Sequence, residues 1–321
     1  MLVGPLPILA VSWLISNWCR DNPGMPPAAN HVFGLPAFSN SARAEEPGVR
    51  SNRPIRHAPA SLSALCQDSA KRLKDKLGEA LNVVVHPPYV IAGDMTTREL
   101  NSWYERTIRP ASEAMAHSYF DVSPSQPITV LLFSKELSYN ENAKALFGDG
   151  GISVYGYYKP QNRTLVMNID TGCGTLVHEL THALADFDFP DIPDWFNEGL
   201  ASLHEQCRFR EGDQGQWVEG LENWRLPGLQ KAIQADRLRP LKTMIEANDF
   251  RGELEGINYA QARYFCMYLQ RKQLLDKFYR NFREQHATDP LGIGALEDVL
   301  QIRSWQDLDQ DFRKWVLTLR R

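Results

Sequence analysis

The sequence predicts an α+β fold, with a mixed sheet and its helices in the amino-terminal half and a helical carboxy-terminal half. Three observations predict it. Short β-branched or aromatic runs, NVVVH at 82–86, PITVLLF at 127–133 and TLVMNI at 164–169, all fall before residue 172. From about Thr175 onward, apolar residues recur instead at spacings of three and four. No internal repeat organises the 321 residues, and that length suits roughly two domains. The chain therefore divides into a leader and linker over 1–60, a sheet subdomain over 61–172 and a helical subdomain over 173–321.

Leu6 to Ser16 (LPILAVSWLIS) is an uncharged apolar run of signal-peptide size, too short to span a bilayer comfortably. No Lys or Arg precedes it. The small-x-small triplet Ala42-Arg43-Ala44 is a better cleavage point than the residues directly after the run. Asp21 to Pro59 is rich in Pro, Asn, Ser and Ala without periodicity, which reads as a linker. The expectation is an exported chain, cleaved or tethered to a membrane through the apolar segment.

Ser61 to Leu81 places Leu62, Leu65, Cys66, Ala70, Leu73 and Leu77 at helical spacing. Asn82 to His86 and Tyr89 to Ala92 read as strands interrupted by Pro87-Pro88. Thr96 or Thr97 can cap a helix running to about Phe120, and Pro127 to Phe133 is a further strand. Val154 to Tyr158 and Thr164 to Ile169 form a hairpin around Pro160-Gln161-Asn162. A helix follows from about Thr175 to Ala185. Beyond Asp194 the pattern is helical, with loops near 210–216 and 288–294.

Charge argues against nucleic acid as a partner. Lys and Arg number 35 against 39 Asp and Glu, for a net charge of -4. The densest basic stretch carries Arg271, Lys272, Lys277, Arg280 and Arg283 between apolar residues at helical spacing, which reads as a solvated helix face. Outside Cys19 in the leader, the cysteines are Cys66, Cys173, Cys207 and Cys266. Their even number permits two disulfides in an exported chain, with free buried thiols as the alternative. None shows Cys-x-x-Cys spacing, so a thiolate zinc site is not expected.

The chemistry lies in His178-Glu179-Leu180-Thr181-His182. Residues four apart on a helix lie one turn above each other, so both imidazoles project from one face and suit two corners of a zinc tetrahedron. Glu179 then reaches a water at the metal without being a ligand. Val177, Leu180, Ala183 and Leu184 give this helix an apolar face, and no proline interrupts it before Pro190. After a short acidic loop, Trp195-Phe196-Asn197-Glu198-Gly199-Leu200-Ala201 opens a second helix. Asp194 and Asn197 read as caps or first-turn residues.

This pairing of H-E-x-x-H with a downstream W-x-N-E-G-x-A resembles the gluzincin metallopeptidases. The shorter gap between the motifs is most similar to the peptidase-MA-like families of bacteria. The resemblance spans about residues 80–320 and takes in Tyr259-Ala260-Gln261 and the stretch from Gly294-Ala295-Leu296 to Trp315. It implies zincin-like active-site helices, Zn2+ as cofactor and Glu198 as third ligand beside His178 and His182. Glu179 is then the catalytic base and a peptide or protein the substrate. Gluzincins often place a Tyr or His downstream to stabilise the oxyanion. Tyr259, on a helix face with Ala262, Cys266 and Leu269, suits that role, whereas Tyr264 is rotated off the face.

Alanyl-aminopeptidase-like enzymes carry a G-x-M-E-N strand that is missing before His178. Thr164 to Ile169 reads instead as an edge strand to which an extended peptide can add, favouring an endopeptidase. Asp186, Asp188, Asp191 and Asp194 read as a solvated acidic loop, with calcium binding as the lesser alternative, and Asp186 as an acceptor for an imidazole. His204 and Glu205 read as surface. If the two metal helices run antiparallel, Cys173 and Cys207 approach each other and can form a disulfide. The competing functional reading is a binding module that keeps the fold without turnover.

Overall fold

The computed structural model describes residues 60–78, 81–148, 153, 155–212 and 215–320, and its architecture is α+β. The apolar run at 6–16, the linker and Cys19 lie outside the described residues. A five-stranded mixed sheet has the order β1-β2-β3-β5-β4. Its strands are β1 (Asn82–His86), β2 (Tyr89–Gly93), β3 (Ile128–Phe133), β4 (Gly156–Lys159) and β5 (Thr164–Asn168). β2, β3 and β5 run parallel, while β1 and β4 pair antiparallel at the two sides. The central strands β2 and β5 are buried along their whole length, as strands covered on both faces must be.

Alternation decides which helix covers which face. Ile91, Val130, Leu132, Leu165 and Met167 enter the main core. Their neighbours Val90, Ala92, Leu131, Phe133 and Val166 point the other way. That second face is covered by α1 (Ala60–Leu77), through Leu62, Cys66 and Ala70, and by α4 (Glu136–Phe147), through Tyr139 and Ala143. α4 is absent from the periodicity reading because only two of its residues are buried. Their i,i+4 spacing and the left-handed Gly148 cap were the available signals.

On the main-core face, Thr96 caps α2 (Thr97–Trp103) in a capping box with Glu99. A π-helical turn over Tyr104–Ile108 joins it to α3 (Arg109–Ser118). Pro110 explains that turn: it has no N–H to donate, and its ring crowds the carbonyl one turn earlier.

Two sequence expectations fail here. Thr164–Asn168 is not an edge strand, because it lies between β3 and β4, and β4 is the edge. The stretch after α6 (Asp194–His204) is not a helix and loop, because β6 (Cys207–Gly212) and β7 (Gly215–Gly220) form a hairpin. Val218 is buried, and its N–H points to Ser118 Oγ at the end of α3.

The remaining helices are α5 (Cys173–Asp188), α7 (Leu226–Gln234), α8 (Leu241–Glu246), α9 (Glu255–Arg271), α10 (Leu275–Gln285), α11 (Ile293–Leu300) and α12 (Trp305–Thr318). α9 is the central one, buried from Ala260 to Leu269. Two glycines bring the site-bearing helices together. A Cβ on Gly199 of α6 would sit 3.0 Å from Ala262 O and Cys266 Sγ of α9. A Cβ on Gly174 would collide with the Glu205 carbonyl, so the start of α5 rests on the end of α6.

The helix approach expected for a Cys173–Cys207 disulfide therefore exists, but the bond does not form. The chain turns into β6 at residue 207, and Cys207 is a free, buried thiol there, as are Cys66 and Cys266. Cys173 is itself disulfide-bonded. Among the described residues, no helix is long and apolar enough to cross a membrane.

Candidate metal centre

α5 buries Leu176, Val177, Leu180, Thr181, Ala183 and Leu184 in the main core, which turns His178, Glu179 and His182 toward the opposite, partly open face. α6 is fixed from its far side. Trp195 is 2% exposed and donates Nε1–H to Leu291 O at 3.0 Å, and Phe196 packs on Phe278 and Phe282. With those rings held, Asn197 and Glu198 face α5.

The structure thus brings His178, His182 and Glu198 together, with one ligand atom from each within 4.8 Å of the others. His178 Nε2 is 3.3 Å from Glu198 Oε2, and His182 Nε2 is 3.5 Å from Glu198 Oε1. Glu198 is only 3% exposed, yet its Oε2 has no aligned hydrogen-bond donor. A buried carboxylate oxygen left without a donor costs free energy unless a cation satisfies it. Two imidazole nitrogens and one carboxylate oxygen, with no thiolate, form a donor set that fits zinc and leaves a fourth position for water or substrate.

The charges agree with that assignment. Burial pushes the Glu198 carboxyl up, but the two adjacent histidines outweigh it and hold the group far below the usual carboxylate range. Burial pulls His182 down, and Glu198, Glu179 and Asn197 together overcome it, raising its pKa to about 9 without metal. The site therefore has the electrostatics of a cation receptor.

Asn197 was expected to act as a first-turn residue only. Its Oδ1 instead lies 2.8 Å from His182 Nδ1. With Nδ1–H donating to that oxygen, the Nε2 lone pair of the neutral ring would be left for a cation. Asp186 does not orient an imidazole; it accepts a hydrogen bond from Tyr158 at 3.0 Å, tying α5 to β4. Glu179 is half-buried on the metal face. Tyr259 also reaches the site. Its hydroxyl accepts from Arg251 Nη1 at 3.2 Å, and burial together with the Glu198 charge raises its pKa, so it keeps its proton. Tyr264 is fully buried and accepts from Asn223 N–H, a structural role.

Arg251 is the residue beside the cluster that the sequence reading missed. It donates to Glu198 Oε1 at 2.5 Å from the segment between α8 and α9. No motif marks it, since Asp249-Phe250-Arg251-Gly252 reads as an ordinary turn.

His204 and Glu205 are not at the surface. The β6–β7 hairpin folds back over the end of α6 and leaves His204 1% exposed, with Nδ1 3.0 Å from Thr181 Oγ1. Burial, Arg263 and His178 lower the His204 pKa to about 3, so it is a neutral core group. Glu205 lies 3.4 Å from Arg225; burial alone would raise its pKa, but Arg225, His178 and Arg263 hold it low. The acidic loop is not uniformly solvated either. Asp188 is buried and paired with Arg283, which removes that arginine from the expected solvated face, whereas Asp191 and Asp194 are exposed as expected. No protein-family model and no curated protein sequence matches this chain.

Proposed function

We propose that the chain is a zinc-dependent metallopeptidase, with His178, His182 and Glu198 as ligands, Glu179 as general base and Tyr259 as oxyanion donor. The observation that carries this reading is the convergence of the three ligand side chains around the unpartnered Glu198 Oε2. Bound there, zinc would supply a Lewis acid for the scissile carbonyl and lower the pKa of a water.

The chain's own residues supply the rest. Glu179, one residue after a ligand on the same helix face, accepts the proton of the attacking water and delivers it to the departing amine. Tyr259, protonated beside Glu198, donates its O–H to the developing oxyanion. Asn197 holds His182 in the tautomer that the metal requires. β4, the edge strand tied to α5 through Tyr158 and Asp186, offers backbone groups to an extended peptide. This favours internal cleavage over removal of an amino-terminal residue. Retention of both Glu179 and Tyr259 at the site supports turnover over a binding module. Export, with or without a membrane tether, is part of the same proposal.

The test is hydrolysis of a mixed peptide library by zinc-loaded protein, chelated protein and Glu179→Gln. Cleavage is expected in the first sample only, with zinc content equal in the wild type and the variant. Glu179→Gln should lower the rate by about 10²- to 10⁴-fold. Undiminished cleavage by that variant would remove Glu179 from the mechanism.

A further inference from the structure

We infer that Arg251 is a positioning residue of the metal centre, setting which oxygen of Glu198 faces the metal and tethering the Tyr259 hydroxyl from the same guanidinium. The inference rests on the zinc reading above. All three nitrogens of the side chain are engaged at the site. Nη2 donates to Glu198 Oε1 at 2.5 Å, Nη1 donates to Tyr259 Oη at 3.2 Å, and Nε lies 3.6 Å from Asp194 Oδ2 at the start of α6. A planar fork of this kind fixes direction as well as charge, which a lysine ammonium cannot do.

The two Glu198 oxygens are thereby made unequal. Oε1 is occupied by a charge-assisted hydrogen bond, and Oε2 has no aligned donor, with His178 Nε2 3.3 Å away. A buried carboxylate with one oxygen claimed is no longer free to rotate, so the other is presented in a single orientation.

Arg251 itself is aimed by its backbone. Buried Asn258 donates to Phe250 O at 2.8 Å, and Gly252 N–H closes a turn on Asp249 O at 2.9 Å. Arg239 holds the Asp249 carboxylate at 2.8 Å. Phe250 is 3% exposed and packs 5.4 Å from the Tyr259 ring. The Arg251 side chain is 51% exposed, so little of the core depends on it.

Its removal should therefore be read at the metal and not in the fold. The test uses the full chain as wild type, Arg251→Met and Arg251→Lys. Zinc affinity is measured by chelator competition, coordination by the visible spectrum of the cobalt(II)-substituted protein, and folding by the melting temperature of the metal-free protein. Arg251→Met should weaken zinc binding by about 10- to 100-fold, alter the cobalt spectrum and leave the metal-free melting temperature close to wild type. Arg251→Lys should recover part of the affinity. Zinc binding by Arg251→Met as tight as wild type, with an unchanged cobalt spectrum, overturns the inference and leaves the zinc reading intact. Loss of zinc by both variants only in step with metal-free stability also overturns it, since Arg251 is then a structural brace. A wild-type protein that binds no zinc overturns the zinc reading, and the inference with it.

Discussion

Two buried carboxylates on neighbouring helices, Asp188 at the end of α5 and Glu198 in α6, each carry an arginine and have opposite fates. Asp188 is 6% exposed and fully satisfied. Its Oδ1 accepts from the N–H groups of Asp121 and Val122 at 2.8 and 2.6 Å, and its Oδ2 from Tyr279 at 2.9 Å. Arg283 Nη1 bridges both oxygens, at 2.8 and 2.7 Å. Glu198 is 3% exposed, with Arg251 on one oxygen and no aligned donor on the other. The saturated carboxylate is a staple joining α5 to α10 and to the segment after α3. The half-saturated one faces two imidazoles and is the proposed ligand. Burial alone does not separate the two carboxylates; their neighbours do, since Glu198 faces two imidazoles and Asp188 faces an arginine, a tyrosine and two backbone N–H groups.

Exchanging the lesion between the two sites tests the comparison most strongly. Glu198→Ala should lose nearly all bound zinc by elemental analysis while the metal-free protein stays folded. Asp188→Ala should do the reverse, destabilising by about 3–5 kcal/mol in urea unfolding, because it removes the buried partner of Arg283 and the acceptor of Tyr279 and two backbone N–H groups. Molecules that remain folded should keep their zinc. Zinc loss in both variants, or in neither, would mean that the neighbours of a buried carboxylate do not distinguish ligand from staple.

A finer division is expected within the Glu198 cluster. Tyr259→Phe should lower turnover by about 2–4 kcal/mol of transition-state stabilisation with metal content unchanged. Wild-type rates across several peptides would return Tyr259 to the role of core tyrosine. Gly174→Ala should cost about 1–3 kcal/mol of stability, because its methyl group drives the start of α5 off the Glu205 carbonyl. Measured by urea midpoint, wild-type stability in this variant would show that the two helices are free to separate.

The smallest effect is one of pH. The His182 pKa in the metal-free protein is raised from 6.5 to about 9. The stability this contributes is complete below pH 6.5 and is lost as pH rises through 9. The metal-free protein should therefore grow less stable across that window. Because zinc requires the neutral ring, zinc affinity should climb by up to about tenfold per pH unit over the same range. An affinity flat between pH 6.5 and 9 would show that His182 does not exchange a proton for the metal.

Much of the site was legible because it is local. His178 and His182 share a face through helical periodicity, and Glu179 follows from adjacency to a ligand. Trp195-Phe196-Asn197-Glu198-Gly199 announces a second helix within a short span. The strands at 82–86, 127–133 and 164–169 were equally plain, since β-branched runs advertise themselves without reference to neighbours. The edge assignment was not. Whether Thr164–Asn168 or Gly156–Lys159 closes the sheet depends on a pairing order that neither segment encodes.

What the sequence by itself determined is the shared face of His178 and His182 on one helix, because a period of 3.6 residues converts spacing into direction without any tertiary contact. What only the tertiary structure decided depends on residues far apart in the chain. Arg251 meets Glu198 across 53 positions, His204 meets Thr181 across 23, and Arg283 meets Asp188 across 95. His204 loses its solvent and Glu205 most of it where the hairpin follows α6, and Cys207 is a free, buried thiol at the start of β6 while Cys173 is disulfide-bonded. A long-range pairing carries no period and no fixed spacing. It is selected by the free energy of satisfying buried charges and donors together, which exists only once the chain has packed.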